Sequence, residues 1–294
     1  MTSQIIHSIE ELQRFLIPIR TAGRTIGLVP TMGALHAGHG RLIETARRES
    51  DCVVVSIFVN PIQFDRSDDY RRYPRSLSVD AEFCTARAVD MVFAPSVEEI
   101  YPRPQRTFVE VTEVSDHLCG PFRPGHFRGV ATVVLKLLNI VQPHRAYFGE
   151  KDAQQLAVIR RMASDLNVAT AIVEVPTVRE ADGLALSSRN QNLNREERLI
   201  APLLSRALQK AEALISAGLT RTDEIKKESL HVFDEYPEIR VEYLEIVDPE
   251  NMVPVAQITG RVRVAGAMWI GKTRLIDNVL CVPAETRPAQ TVIG

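Results

Sequence analysis

The stretch TIGLVPTMGALHAGHGRLIETARRES, residues 25–50, changes pattern twice and thereby decides the fold class. Residues 25–30 form a short apolar run, which is typical of a buried strand. Residues 40–50 space their apolar side chains for one buried helical face. The connecting segment, 30–43, carries three glycines and two histidines, and glycine allows backbone conformations that other residues rarely adopt. The sequence here predicts a strand that turns through an unusual loop into a helix.

The same alternation of apolar runs and amphipathic segments continues to about residue 176. The strand candidates are residues 25–30, 52–59, 90–95, 145–149 and 170–175. The helix candidates between them are residues 40–50, 76–88, 129–141 and 153–166. Strands that alternate with helices form a parallel sheet with right-handed crossovers. We therefore predict an α/β fold with a doubly wound, parallel, Rossmann-like sheet.

The pattern changes after residue 176. A long charged helix is predicted over 194–218, and a second helix over 222–236. Extended segments follow at 240–248, 261–266 and 274–282. This order predicts a smaller α+β unit. We expect two domains, a Rossmann-like domain at 1–176 and a smaller C-terminal α+β lid domain at 177–294.

Composition limits the classes of function. The chain has 294 residues, of which 45% are hydrophobic, so it can bury a sizeable core. The formal net charge of -2 gives no broad basic surface that would favour nucleic acid or an anionic membrane. The four cysteines are scattered without a C-x-x-C pair, and no apolar run reaches the ~18 residues that span a bilayer. We expect a cytoplasmic protein with small-molecule ligands and without nucleic-acid or membrane partners.

The loop within 30–43 lies where an open α/β sheet binds its ligand, between the carboxyl end of a strand and the start of a helix. Gly33 and Gly38 let a ligand approach the main chain, and the first N–H groups of the helix favour an anion. His36 and His39, three positions apart, can donate hydrogen bonds to phosphate oxygens. Two other interpretations stay open: an ordinary loop with solvated rings, and a zinc site that lacks a third ligand nearby.

Four further loops bring polar side chains to the same predicted edge of the sheet. They are NPIQF at 60–64, RPGHFRGV at 123–130, GEKDAQQL at 149–156 and GLALSSRN at 183–190. Asn60 and Gln63 can hydrogen-bond a small polar ligand, and Lys151 can bind phosphate as a mobile cation. Each loop alone is explained by a turn, a helix cap or a solvated surface. Four of them at one edge favour a phosphate-containing ligand.

The motifs PTMGALHAGH, NPIQF, RPGHFRGVATVVLKLLNIVQP, FGEKDAQQ and VPTVREADGLALSSRN occur in this order. Together they resemble the pantothenate synthetase (pantoate–β-alanine ligase) family, from about residue 4 to about residue 282. The H-x-G-H element alone is shared in related form with cytidylyltransferases and class I aminoacyl-tRNA synthetases. One departure is Gly40, where the family more often has leucine or another helix-favouring residue. Glycine there is expected to weaken the first helical turn by roughly 0.5–1 kcal/mol relative to alanine.

The resemblance implies a two-step ligation in the pathway to coenzyme A. The carboxylate of pantoate attacks the α-phosphorus of ATP and releases pyrophosphate. The amine of β-alanine then attacks the pantoyl adenylate and gives pantothenate and AMP. The resemblance further implies Mg2+, a homodimer formed through the N-terminal domain, and binding of ATP and pantoate by residues 1–176.

The resemblance also implies roles for individual residues. The expected catalytic donors to the phosphates are His36, His39, Lys151, Ser187, Ser188 and Arg189. The expected substrate contacts are Met32, Asn60, Gln63, Arg123 and Gln155. The expected contacts of the adenosine moiety are Phe148, Gly149, Asp152, Thr177, Val178 and Leu186, with Asp152 at the ribose. Asp80 is a candidate contact of Mg2+, which is expected to be held mainly by the triphosphate and water.

Two other classes of function make different predictions. A related nucleotidyl transferase or synthetase fragment predicts a KMSKS-like lysine loop and an anticodon-binding extension, whereas residues 186–190 read LSSRN and no basic appendage follows. A non-catalytic nucleotide-binding module predicts the loss of phosphate donors, and all the expected donors are present. The ligase is therefore the function that we predict.

Overall fold

The computed structural model describes residues 3–65 and 67–283, so residues 284–294 of the predicted second domain lie outside the described residues. The chain divides into two units. The first contains the described residues up to Ser115, together with Gly120–Val178 and Leu186–Ser188. The second contains Asp116–Cys119, Arg179–Ala185 and the described residues from Arg189 onward. Each unit thus takes in a short segment from outside its main sequence range.

The first unit is built on a parallel six-stranded sheet. Its strands are β1 (Gln4–Ile6), β2 (Ile26–Thr31), β3 (Cys52–Ile57), β4 (Met91–Phe93), β5 (Arg145–Gly149) and β6 (Ala171–Val175). Its helices are α1 (Ile9–Thr21), α2 (Ala37–Glu49), α3 (Ser67–Arg72), α4 (Leu77–Thr85), α5 (Val97–Ile100), α6 (His126–Val141) and α7 (Ala153–Asp165). The strand order is β1-β4-β3-β2-β5-β6, and every strand pair is parallel. The predicted doubly wound parallel sheet is confirmed.

Strand β2 lies at the switch point of this sheet. It pairs on one side with β3, the next strand in the chain, and on the other side with β5. The direction of winding therefore reverses between β2 and β5, which is where open α/β sheets bind ligands. Val53, Val54 and Val55 are all fully buried. Because successive strand residues point to opposite faces, this burial means that both faces of the sheet are covered.

In its described residues, which end at 283, the second unit contains three α-helices and an antiparallel sheet. The helices are α8 (Arg195–Ile200), α9 (Leu203–Ser216) and α10 (Thr222–Leu230). The sheet has the order β7 (Ile239–Val247), β8 (Val262–Ile270) and β9 (Thr273–Cys281). One face of α9 packs on this sheet, with Leu204 and Ala207 in one apolar cluster and Leu208 and Ala211 in the next. The predicted smaller α+β unit is confirmed.

The long helix predicted over 194–218 is wrong, because the structure divides it into α8 and α9 around Pro202. Proline has no N–H to donate to a preceding carbonyl, and its ring clashes with that carbonyl inside a helix. The helix predicted over 222–236 is also shorter, since α10 ends at Leu230 and a 3-10 turn follows at His231–Phe233. Apolar spacing alone does not detect either interruption.

Two general properties complete the description. All four cysteines are buried, and none forms a disulfide. Within 3–65 and 67–283, the chain contains no helix with the length and apolar content that a bilayer crossing requires.

Candidate active site

The two histidines of the H-x-G-H element cap the start of α2. His36 is the N-cap residue, and its Nδ1 accepts a hydrogen bond from the backbone N–H of Gly38 at 3.1 Å. The Nδ1 of His39 accepts a hydrogen bond from the backbone N–H of His36 at 3.2 Å. Helix starts leave such N–H groups unpaired, and a capping box satisfies them reciprocally. The imidazoles of this chain take the place of the usual serine and glutamate side chains.

These contacts fix the position of the proton on each ring. Because each Nδ1 accepts a backbone proton, a neutral ring must carry its own proton on Nε2. The two ring centroids lie 4.1 Å apart. Gly38 makes the arrangement possible, since a Cβ there would lie 2.8 Å from Cε1 of His36. Both histidines therefore keep an Nε2–H group for an acceptor outside the cap.

Both rings are neutral at neutral pH. Burial lowers the pKa of His36 to about 4, with a further lowering by Lys151 and an opposing effect of Asp152. Burial also lowers the pKa of His39 to about 3, and the charges of His36 and Lys151 add to the lowering while Asp152 opposes it. Lys151 and Asp152 therefore act electrostatically on both rings. The structure thus brings four of the predicted site residues together.

Lys151 reaches this site from the end of the neighbouring strand. It lies in the 3-10 turn Glu150–Asp152, between β5 and α7. Its Nζ is 3.8 Å from Oδ1 of Asp152, and its side chain is only 16% exposed. Gln155 lies half-buried in the first turn of α7. A partly buried ammonium beside two neutral N–H donors makes this corner favourable for an anion.

The loop after β3 holds Asn60 and Gln63, two of the predicted substrate contacts. Gln63 ends the 3-10 turn Pro61–Gln63, and its Nε2 donates to Sδ of Met32 at 3.2 Å. Asn60 is 1% exposed, and its Nδ2 donates to Oε1 of Gln63 at 3.0 Å and to the carbonyl of Gly129 at 3.1 Å. We predicted a ligand contact for Asn60 from the sequence. In this structure its amide holds that of Gln63, and its contact with a ligand stays a prediction.

The start of α6 supports the same loop. Nδ1 of His126 lies 2.8 Å from the carbonyl oxygen of Gln63. Nη1 of Arg123 lies 3.2 Å from Nε2 of His126, and Nε of Arg123 donates to Oδ1 of Asp65 at 3.3 Å. The sequence predicted a substrate contact for Arg123. Its guanidinium contacts Asp65, His126 and the carbonyl of Gln63, and its contact with a substrate stays a prediction.

Asp80 holds the turn that precedes His36. Its side chain is 3% exposed, Oδ2 accepts from the backbone N–H of Ala34 at 3.0 Å, and Oδ1 accepts from that of Leu35 at 2.8 Å. Ala34 has a φ of 51°, a left-handed conformation that alanine rarely adopts without such support. The sequence predicted a metal contact for Asp80. Among the described residues, no group of three or more His, Cys, Asp and Glu side chains is placed to hold a metal ion.

The residues predicted to contact adenosine lie at the ends of β5 and β6. Phe148 and Gly149 end β5, where they pair with Glu174 and Val175 of β6. Leu186 donates its backbone N–H to the carbonyl of Val178 at 2.9 Å. A Cβ on Gly38 would lie 3.9 Å from the Cβ of Leu186, so the segment around Leu186 reaches the start of α2. Thr177 and Val178 directly follow β6.

The predicted phosphate donors at 187–189 fall at a boundary between the two units. Ser187 and Ser188 belong to the first unit. Arg189 belongs to the second unit, and its role stays a prediction.

A parallel Rossmann-type sheet with an H-x-G-H helix start at its switch point defines a nucleotide-binding α/β protein. The family model of pantoate-beta-alanine ligase matches residues 4–280. The chain belongs to this family of ligases.

Individual relatives agree with the family assignment. A pantothenate synthetase of Thermotoga petrophila is 52% identical over 277 residues, which are 94% of this chain and 99% of the relative. The crystal structure of the Thermus thermophilus pantothenate synthetase has a TM-score of 0.87 at 46% identity, covering 94% of this chain and 98% of that one. The pantoate-beta-alanine ligase of Francisella tularensis, solved in complex with beta-gamma ATP and β-alanine, has a TM-score of 0.77 at 36% identity. That comparison covers 98% of this chain and all of the other.

Proposed function

We propose that this chain uses ATP to join pantoate and β-alanine into pantothenate, with pantoyl adenylate as the intermediate and AMP and pyrophosphate as products. The observation that carries this proposal is the pair of neutral imidazoles, His36 and His39, beside Lys151 at the switch point of the sheet. The complex of the Francisella tularensis relative with beta-gamma ATP and β-alanine supports the same substrates.

The first step needs orientation and charge stabilisation more than a base. A carboxylate with a pKa of about 4 is already ionised at neutral pH, so pantoate can attack the α-phosphorus directly. The new bond joins a carboxylate oxygen to phosphorus, and the bond to pyrophosphate breaks. Negative charge moves onto the departing pyrophosphate, and donors fixed in advance stabilise that charge most effectively. His36, His39 and Lys151 are the donors that we assign to the phosphates.

Neutral imidazoles suit this position better than charged ones. Burial is the main cause of the lowered pKa values of both histidines, and the charge of Lys151 adds to it, so a charged ring here would lose hydration and would repel the ammonium. A neutral Nε2–H group still donates a directed hydrogen bond to a phosphate oxygen. The helix cap holds each ring in place before the substrate arrives, which lowers the reorganisation needed during the reaction. Ser187 and Ser188 add hydroxyl donors in this proposal.

Gln63, Met32 and Gln155 form the proposed pantoate site. The NH2 group of Gln63 is directed toward Met32, and the thioether sulfur is a weak acceptor that a substrate oxygen can replace. The amide of Gln155 is the second polar group that we assign to pantoate. Asp152 is assigned to the ribose, and the main chain near Phe148, Gly149, Thr177 and Val178 is assigned to adenine.

Mg2+ is proposed as a partner of the nucleotide. The described residues offer no ligand cluster for it, and both carboxylate oxygens of Asp80 accept backbone N–H groups. The protein side chains therefore do not fit a magnesium cage. Phosphate oxygens and water suit this hard cation, which keeps much of its hydration shell.

In the second step, the neutral amine of β-alanine attacks the acyl carbon of the adenylate, and AMP leaves. The ammonium form must first lose a proton, and the attacking nitrogen loses a second proton as the amide forms. We assign both protons to solvent.

We also propose that the enzyme acts in the cytoplasm and that two copies associate through the first unit. Light scattering on the purified chain tests the dimer directly.

Pyrophosphate release is the decisive assay for the function. The chain should release pyrophosphate from ATP when pantoate is present, and should form AMP and pantothenate when β-alanine is added. Pantoate without β-alanine should give a single burst of pyrophosphate, because the adenylate stays bound. Turnover with a different acid or amine, and none with this pair, would overturn the substrate assignment.

A further inference from the structure

We propose that Tyr101 is a positioning residue for pantoate, because its hydroxyl fixes the amide of Asn60 and thereby directs the NH2 group of Gln63 toward the substrate. The inference rests on the proposed function, which assigns pantoate to Gln63. Tyr101 follows the short helix α5, and its hydroxyl donates to Oδ1 of Asn60 at 2.8 Å. No sequence motif marks this residue, which lies 41 positions from Asn60.

The orientation of the Asn60 amide is set by the carbonyl of Gly129, which can only accept a hydrogen bond. Its Nδ2 lies 3.1 Å from the carbonyl oxygen of Gly129, and a carbonyl oxygen has no proton to give. The NH2 end of Asn60 therefore faces Gly129, and its Oδ1 faces Tyr101. A buried amide oxygen needs a donor, and the Tyr101 hydroxyl is that donor.

The orientation passes from Asn60 to Gln63. Nδ2 of Asn60 also donates to Oε1 of Gln63 at 3.0 Å, so the oxygen of the Gln63 amide is held by protein. The NH2 end of Gln63 is left on the side of Met32. A reversed Gln63 amide would place its NH2 group against that of Asn60, which is unfavourable. The site therefore presents a donor to pantoate, whose carboxylate and hydroxyl oxygens accept hydrogen bonds.

The surroundings of Tyr101 keep its hydroxyl protonated and in place. Burial raises the pKa of Tyr101 above its usual value, so the group stays a donor at neutral pH. The centroid of the Tyr101 ring lies 6.1 Å from that of the Phe58 ring, and Nζ of Lys136 lies 5.1 Å from the centroid of the Tyr101 ring. These contacts involve the ring and not the hydroxyl, so removal of the hydroxyl leaves the packing intact.

The test is Tyr101→Phe, with Tyr147→Phe as the matched control. Tyr147 is a buried tyrosine whose hydroxyl contacts Ser50 and Glu49 and not the Asn60 amide. Tyr101→Phe should raise KM for pantoate roughly 5- to 50-fold, since a buried acceptor loses its donor, and should leave KM for ATP within about twofold. Tyr147→Phe should leave KM for pantoate within about twofold.

A second mutation separates positioning from general support. In a Gln63→Ala background, Tyr101→Phe should add nothing to KM for pantoate, because the group that it positions is gone. An unchanged KM in the single variant, an equal rise for pantoate and ATP, or the same rise in both backgrounds would overturn the inference.

Side-chain amide NMR gives a readout that does not depend on turnover. In the wild type, the NH2 protons of Asn60 should exchange slowly with water, and Tyr101→Phe should accelerate that exchange while Tyr147→Phe does not. Unchanged exchange in Tyr101→Phe would overturn the inference even if the wild type makes no pantothenate. A wild type without pantoate-dependent turnover would instead overturn the proposed function.

Discussion

Helices α2 and α6 both begin beside a histidine, but Nδ1 of the ring accepts a hydrogen bond at α2 and donates one at α6. At α2, His36 and His39 accept backbone N–H groups at Nδ1, which leaves the proton on Nε2. At α6, Nδ1 of His126 faces the carbonyl of Gln63 and must therefore carry the proton, while Nε2 accepts from Arg123. The first pair directs its N–H groups away from the cap, whereas His126 uses both nitrogens to hold a loop.

A histidine at a helix start is therefore not by itself a donor to a ligand. The partner of Nδ1 decides whether the ring can donate to a ligand, because that partner determines which nitrogen carries the proton. When Nδ1 accepts from a backbone N–H, the proton stays on Nε2 and is available to a ligand. When Nδ1–H donates to a backbone carbonyl, a neutral ring has no other N–H to offer. The same substitution should therefore have different effects at the two helices.

The largest expected difference comes from asparagine in place of histidine. In His36→Asn, the amide oxygen can still cap α2, since asparagine is among the preferred N-cap residues, but the Nε2–H donor is lost. Single-turnover adenylation should fall about 100- to 1000-fold, as expected for a donor to developing phosphate charge, while the unfolding midpoint stays close to wild type.

In His126→Asn, the amide NH2 can replace Nδ1–H as the donor to the Gln63 carbonyl. Adenylation at saturating pantoate should stay within about tenfold of wild type, a change of less than roughly 1.4 kcal/mol. Rapid-quench measurement of pyrophosphate compares the two variants. Equal losses at both positions would remove the distinction between the two helix starts.

A smaller difference is expected for the glycine in each helix start. A Cβ on Gly129 would overlap the carbonyl oxygen of Ile62 and the backbone of Gln63, and this backbone cannot move aside without displacing Gln63. Gly129→Ala should therefore lower the free energy of unfolding by about 1–3 kcal/mol and raise KM for pantoate. Urea denaturation and initial rates measure both effects.

In Gly38→Ala, the added Cβ meets the ring of His36, which can rotate away. Alanine also favours the helix by about 1 kcal/mol over glycine, so the loss of stability should be smaller than in Gly129→Ala. Adenylation should fall because the His36 ring leaves its position. A Gly38→Ala variant with wild-type adenylation would show that the position of this ring does not matter.

The smallest expected effect is on acid stability. The pKa of His36 is about 4 and that of His39 about 3 in the folded state, whereas both are about 6.5 in the unfolded chain. Between these values the unfolded chain binds more protons, so these groups lower stability as pH falls below about 6.5. His36→Asn should reduce the drop in unfolding midpoint between pH 7.5 and pH 5 by a few degrees. An unchanged drop would mean that the His36 pKa is not lowered.

Much of the fold follows from the sequence, because the central strands of the parallel sheet, such as β3, are buried on both faces. Residues 145–149 were predicted as a strand, and β5 has the same bounds. The break between α8 and α9 was missed because apolar spacing continues across Pro202, although its missing N–H is a local signal that predicts the break. Strand β1 has only three residues, too few to show a period.

The site is predictable only in part. The loops at strand ends could be located, since parallel strands end at one edge of a sheet. The contacts that orient them join residues that are far apart in the sequence. Asp80 accepts the N–H groups of Ala34 and Leu35, which are 46 and 45 positions away, and Tyr101 donates to Asn60, which is 41 positions away. No local pattern encodes such pairs. The ring tautomers likewise depend on partners that only the folded chain brings together.

Nitrogen-15 NMR of the histidine rings tests the central claim most directly, namely that His36 and His39 are neutral Nε2–H donors held by the cap of α2. Long-range spectra between ring nitrogens and carbon-bound protons distinguish the two tautomers, and His36→Asn, His39→Asn and His126→Asn assign the signals. We predict protonated Nε2 and unprotonated Nδ1 for both α2 histidines from pH 7.5 to pH 5.5, and the opposite tautomer for His126 at pH 7.5. A titration near pH 6.5 at His36 or His39, or a proton on Nδ1 of either ring, would contradict it.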